Sequence, residues 1–205
     1  MSTTHIPHAP SRVRSAALLL CATLWCALPA QGATIEGQQF EEQLQLGGTP
    51  LILNGVGLRG VAFIKGYVAG LYVPQKATSL QGLRAQGGPK RLRIRMLISA
   101  GPDTFVDALQ SGLKKNLPPA ELAALQDRVL LLEQGIQALG SAAKGDVIDF
   151  DYVPDKGTVL SRNGAPAKTA PVPGAELYDA VLAVFVGEHP VDKRLKQGLL
   201  GLPPA

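Results

Sequence analysis

The stretch Asn54–Val73, NGVGLRGVAFIKGYVAGLYV, constrains the fold of this chain more than any other segment. It carries five glycines, one arginine, one lysine and two tyrosines among apolar residues. The β-branched and aromatic content predicts two strands joined by a tight turn, about Leu51–Arg59 and Phe63–Val73, with Gly60 between them. Glycine inside a strand marks a bulge or a close approach by another part of the chain. Gly55, Gly57, Gly66 and Gly70 therefore predict a sheet that is bent here or closely approached by a helix. Arg59 and Tyr67 fall in the same hairpin. Placed on one side of the sheet, they form a small pair able to hold an anion. Bulges at the glycines decide whether both face inward.

The rest of the chain supplies a sheet and its helices. Thr34–Leu46 alternates apolar and polar residues, as a partly exposed strand does, and Gly47-Gly48 is a turn. A short helix is expected over Lys76–Gln86, carrying Leu80 and Leu83 and closed by Gly87-Gly88-Pro89. Lys90–Ser99 alternates most clearly, with Leu92, Ile94, Met96 and Ile98 on one face and Arg91, Arg93 and Arg95 on the other. The three arginines read as a solvated sheet face, or alternatively as a basic strip for an anionic membrane or partner. Pro102–Asn116 is helical, with Asp103 and Asp107 near its positive end. Pro118-Pro119 opens a second helix running to about Leu139, with the stripe Leu122, Leu125, Val129, Leu132, Ile136, Leu139, closed by Gly140.

Asp146–Val153 and Thr158–Arg162 form a hairpin around Pro154–Gly157. Its Asp146, Asp149 and Asp151 lack a nearby histidine and calcium-loop spacing, so they read as an exposed strand edge and not a metal site. Asn163-Gly164 is another turn. Glu176–Gly187 is apolar most of the way round and reads as a buried helix ended by Pro190. Val191–Leu200 is a short basic helix. The element order predicts an α+β domain, an antiparallel sheet with helices layered on one face.

The chemistry narrows by elimination. After residue 33 there is one histidine, His189, and no cysteine, since Cys21 and Cys26 lie upstream. No Ser-His-Asp set, cysteine nucleophile or zinc set is expected. There is no phosphate-cradling glycine loop, because the glycine pattern at 55–60 precedes a strand. No cofactor is expected. The formal charge of +4 includes Arg12 and Arg14, which leaves 18 basic against 16 acidic residues elsewhere, so nucleic acid is not an expected partner. Arg59 and Tyr67 beside an apolar interior suit an amphiphile with a carboxylate or enolate-like oxygen. The guanidinium makes charge-assisted bonds and the phenol adds another.

Asn54–Val73 resembles the arginine-containing hairpin of the chalcone isomerase-like family, and Gly187-Glu-His-Pro-Val-Asp192 resembles that family's C-terminal signature. The resemblance covers most of the chain after residue 35. It implies an open-faced β-sandwich in which a curved sheet and a layer of helices enclose a ligand cleft. Arg59 matches the arginine that holds the substrate oxygen in true chalcone isomerases. At Tyr67 those enzymes carry threonine, whereas the fatty-acid-binding members carry tyrosine. The enzymes' catalytic tyrosine, asparagine and late threonine or serine align near Leu122, Val129 and Val184, all apolar here. The expected function is thus a non-catalytic protein binding a fatty acid or similar apolar carboxylate through Arg59 and Tyr67. The alternative is a cofactor-free intramolecular lyase or isomerase in which Arg59 stabilises a developing oxyanion.

Residues 1–32 read as a secretory signal peptide. Arg12 and Arg14 precede an apolar core within Ser15–Leu28, too short to span a bilayer, and Ala30, Gly32 and Ala33 supply small residues for cleavage. Residues 33–205 form the expected single domain, without a later transmembrane segment, in the periplasm or outside the cell. The bacterial compartment follows from the resemblance.

Overall fold

The computed structural model describes residues 1–3 and 32–203. The expected signal peptide therefore lies largely outside the described residues. Among those described, no helix is long and apolar enough to cross a membrane.

Seven strands form one antiparallel meander: β3 (Gln43–Leu46), β4 (Thr49–Val61), β5 (Ile64–Val73), β6 (Lys90–Met96), β7 (Val147–Val153), β8 (Gly157–Arg162) and β9 (Ala165–Pro166). A separate hairpin, β1 (Ala33–Ile35) and β2 (Gln38–Phe40), precedes it. The helices are α1 (Leu80–Arg84), α2 (Pro102–Asn116), α3 (Pro119–Ala124), α4 (Gln126–Leu139), α5 (Ala175–Val186) and α6 (Lys193–Leu199). The α+β expectation holds.

Strand alternation sorts side chains between the two faces of the sheet. Tyr67, Ala69, Leu71, Leu92, Ile94, Met96, Ile148 and Phe150 join the main core under α2, α4 and α5. Helix α5 is the centre of this layer, buried from Leu177 to Val186 apart from the half-buried Asp179. Gly112 lets α2 lie close against it, since a Cβ there would stand 2.5 Å from Val184. On the outer face Phe40, Leu51, Leu53, Val68 and Tyr72 make a smaller cluster beneath the N-terminal hairpin.

Four expectations change. The strand expected over Thr34–Leu46 is three short strands, because Glu36 and Gly37 adopt positive φ and reverse the chain. The hairpin strands extend past Gly60, which pairs with Lys65, and the connection is Ala62-Phe63. The helix expected over 118–139 is two helices meeting at Leu125, whose buried side chain continues the apolar stripe. Asp149 and Asp151 are not on an exposed edge: β7 is interior, and both residues are buried. They lie opposite Arg93 and Arg91 in the ladder. Arg91 donates from Nε and Nη2 to Asp151, both at 2.6 Å, and Arg93 donates from Nε and Nη2 to Asp149 at 2.8 and 3.0 Å. Arg91 and Arg93 are thus neither a solvated face nor a free basic strip.

Candidate functional site: an arginine in an apolar cleft

One irregularity in β4 creates the site. Leu51 and Leu53 point to the outer face, and simple alternation would send Arg59 there too. The register with β5 instead shifts between Leu53 and Gly55. A one-residue slip exchanges the faces. Val56 and Leu58 consequently pack in the outer cluster, while Gly55, Gly57 and Arg59 turn inward.

Polar bonds pin the bulge. Asn54 Nδ2 donates to the carbonyls of Ala77 (2.9 Å) and Leu199 (2.7 Å), and its Oδ1 accepts from the Ala77 N–H at 2.7 Å. The inward glycines then admit α6. A Cβ on Gly57 would meet the Leu195 carbonyl oxygen at 2.6 Å, and one on Gly55 would collide with the Gly198 carbonyl oxygen. The expected close approach by a helix is therefore found at these two glycines. At Gly70 the close neighbour is instead the ring of Phe40.

The motif at 187–192 ties α6 to the same place. Asp192 caps α6 by accepting from the N–H groups of Arg194 (2.8 Å) and Leu195 (3.1 Å), and its second oxygen accepts from Gly60 N–H at 3.3 Å. Asn116, at the end of α2, holds His189 by its backbone, donating to the His189 carbonyl (2.8 Å) and accepting from its N–H (3.0 Å). The His189 side chain is exposed. Sequence reasoning quoted Asp192 within the motif but gave it no role. The Ser/Thr/Asn/Asp preference at helix N-caps was the signal that identifies it.

Arg59 and Tyr67 are direct cross-strand partners. The Arg59 guanidinium carbon lies 5.6 Å from the centre of the Tyr67 ring, within cation–π range. Both line a cleft with Ile94, Phe105, Leu109, Phe150, Val184 and Val191. Tyr67 is buried and Arg59 half-buried. Burial pushes the Tyr67 phenol upward; the Arg59 charge opposes this and Asp192 adds to it. Arg59 forms no ion pair within 4 Å among the described residues, and its Nε is buried without a hydrogen-bond partner. The cleft encloses about 30 Å³, room for one or two waters.

Of the positions aligned with catalytic groups of true isomerases, only Val184 lines the cleft; Leu122 and Val129 pack elsewhere in the core. None carries a polar side-chain atom. A roomier groove of about 500 Å³ lies where α1 meets the ends of α5 and α6, and one of about 380 Å³ where α1 meets the ends of α2 and α5. Their polar side chains are all at least partly exposed. A larger, more polar groove of about 860 Å³ beside the N-terminal hairpin includes Arg95, whose Nε is likewise buried and unpaired, so the cleft is set apart by its apolar lining.

A search of curated proteins finds no match to this chain. Among solved structures, a fatty-acid binding protein of Arabidopsis thaliana is similar with a TM-score of 0.56 at 17% identity, covering 80% of this chain and 92% of that one. At that identity the likeness concerns the fold. The family model for chalcone isomerase-like proteins matches residues 32–201. With that match spanning nearly all of the described sheet and helix layer, the chain belongs to the chalcone isomerase-like family.

Proposed function

We propose that this protein is exported and binds a fatty acid or similar apolar carboxylate without transforming it. Arg59 and Tyr67 hold the carboxylate, and the tail lies between the sheet and α2, α4 and α5. The observation that carries the reading is the unpaired Arg59 Nε in an otherwise apolar cleft. A buried N–H without a partner is costly, and a ligand carboxylate supplies the acceptor. The similar Arabidopsis structure, itself a fatty-acid binding protein, supports the same class of ligand. Small-molecule pockets commonly enclose roughly 300–1,000 Å³. A closed cleft of about 30 Å³ therefore has to open for a long chain to enter, by displacement of side chains such as Phe105 or of the helices themselves. For the isomerase alternative, Arg59 is the one matched reacting group, because Leu122, Val129 and Val184 offer no proton donor or acceptor.

Titration of the purified protein with long-chain fatty acids tests the reading. Arg59→Ala removes a charged hydrogen-bonding group and should weaken binding roughly ten- to a hundred-fold. Equal affinity in wild type and variant would refute the assignment. Export with cleavage between Ala30 and Ala33 is checked by N-terminal sequencing of the secreted or periplasmic protein. Retention of residues 1–28 in a membrane fraction would contradict it.

A further inference from the structure

We propose that the tip of the β4–β5 hairpin is a membrane-docking element that seats the carboxylate end of the cleft against a lipid bilayer. The inference rests on the carboxylate-binding reading above and adds where the ligand is exchanged. Phe63 is 102% exposed, Ile64 62% and Ile98 43%, and all three lie at one end of the sheet. Ile98 belongs with the tip because its N–H donates to the Gly66 carbonyl at 3.4 Å, beside the start of β5. Large apolar side chains held this far into water mark an interaction site.

The position of the tip gives the patch a purpose. Phe63 is four residues beyond Arg59 on a continuous strand and turn, roughly 10–13 Å along the chain direction. Arg59, Phe105, Ala108 and Val191 are the partly exposed members of the cleft lining, so its rim includes the group that holds the head of the ligand. A long-chain carboxylate in a bilayer presents its head at the interface and its tail inward. A protein that docks by the tip beside Arg59 meets the head first.

Size and charge favour a bilayer over a folded partner. A stable protein interface buries about 800 Å² on each side, far more than three side chains on a hairpin end supply. An aromatic and two aliphatic residues on a narrow projection suit shallow insertion at headgroup level. Lys65, Lys193 and Arg194 flank the tip, and the Arg194 guanidinium comes within 3.8 Å of where a Cβ on Gly60 would stand. Glu36 pairs with Lys65 at 2.7 Å and Asp192 with Arg194 at 3.7 Å, so three cations face two carboxylates. The preference for anionic lipid should accordingly be present but modest.

The test uses vesicles of phosphatidylcholine with and without phosphatidylglycerol. Phe63→Trp places an indole at the tip, with wild-type protein as the blank, since the one native tryptophan is Trp25. A blue-shifted emission with vesicles, quenched by brominated acyl chains, is the expected result. The double substitution Phe63→Ser, Ile64→Ser should weaken vesicle partitioning ~10–100-fold through lost apolar burial. It should also slow transfer of oleate from vesicles while leaving affinity for dilute, dispersed oleate and thermal unfolding unchanged. No blue shift, or equal partitioning of the double variant, would overturn the docking proposal even if oleate binds. Vesicle insertion without any oleate binding would instead leave docking standing and refute the ligand reading.

Discussion

On the outer face of the sheet, Arg91 and Arg93 each grip an aspartate on the neighbouring strand with two hydrogen bonds. On the inner face, Arg59 lies against a tyrosine ring, with a buried Nε that has no hydrogen-bond partner among the described residues. The same residue type thus occurs in two electrostatic settings within one sheet. Arg91 and Arg93 are structural: each desolvated charge is matched by a carboxylate in register. Arg95 on the same face instead lies opposite Val147, stacks 5.3 Å from the centre of the Phe40 ring and has a buried Nε without a hydrogen-bond partner. The surroundings of Arg93 leave it raised above the usual arginine range, chiefly through the hydrogen bonds to Asp149. The inner arginine has a ring face against it and no carboxylate within 4 Å among the described residues. The difference teaches that a missing partner on the opposite strand is not enough by itself: of the two arginines with a buried, unpaired Nε among the described residues, Arg59 is the one that lines the apolar cleft.

The largest expected effect comes from breaking the outer ladder. Asp149→Ala leaves Arg93 with only the 3.4 Å contact to the exposed Glu41 and removes the oxygen 3.6 Å from Arg91 Nε. Unpairing a buried ion pair costs about 3–5 kcal/mol. With the Arg93 side chain 16% exposed, rehydration should hold the loss to about 2–3 kcal/mol, read from urea unfolding. A loss under about 0.5 kcal/mol, typical of surface pairs, would erase the contrast between the faces.

Gly57→Ala attacks what keeps the inner face in place. A Cβ 2.6 Å from the Leu195 carbonyl forces α6 away from β4, and overpacking of this kind costs about 1–3 kcal/mol. Because Asp192 and α6 stand beside Arg59, fatty-acid affinity should fall as well. An unchanged melting temperature would show that α6 is not seated on the glycine.

These two sites also show what could be read from the sequence and why the rest could not. The glycine pattern and the Arg59–Tyr67 pair were legible, because glycine in a strand has few physical uses. The face on which Arg59 lies was not. Leu51 and Leu53 are in phase with an outward Arg59, and only the slip at Asn54, held by bonds to Ala77 and Leu199, turns it inward. Those partners are distant in sequence and leave no local trace. Asp149 and Asp151 were misread for a related reason. Alternating charge on a single strand looks solvated, and only the β6–β7 register sets each aspartate opposite an arginine. The break at Leu125 was hidden because the apolar stripe runs through it unbroken.

Smaller effects sharpen the inner site. Tyr67→Phe removes one neutral donor and should weaken fatty-acid binding by about 0.5–1.5 kcal/mol, less than loss of the guanidinium. Calorimetric titration checks the order of the two; a larger loss at Tyr67 would move the main contact to the phenol. Smallest of all is the pH effect. An exposed tyrosine titrates near about pH 10. Burial raises Tyr67 above that, so its protonated, donating form persists as pH rises. Affinity should stay flat from about pH 7 to pH 10; a fall with an apparent pKa at or below 10 would mean the phenol is not buried in solution.

The most direct test of the account compares Arg59→Met with Arg93→Met in unfolding and in fatty-acid titration. Arg93→Met should lose about 2 kcal/mol of stability by leaving the buried Asp149 with only Arg91, at 3.6 Å, with ligand affinity unchanged. Arg59→Met should keep its stability, or gain about 1 kcal/mol by removing an unsatisfied buried group, while fatty-acid affinity falls roughly ten- to a hundred-fold. If Arg59→Met instead unfolds as readily as Arg93→Met and binds fatty acid as well as wild type, Arg59 is a structural residue and the cleft is not a carboxylate site.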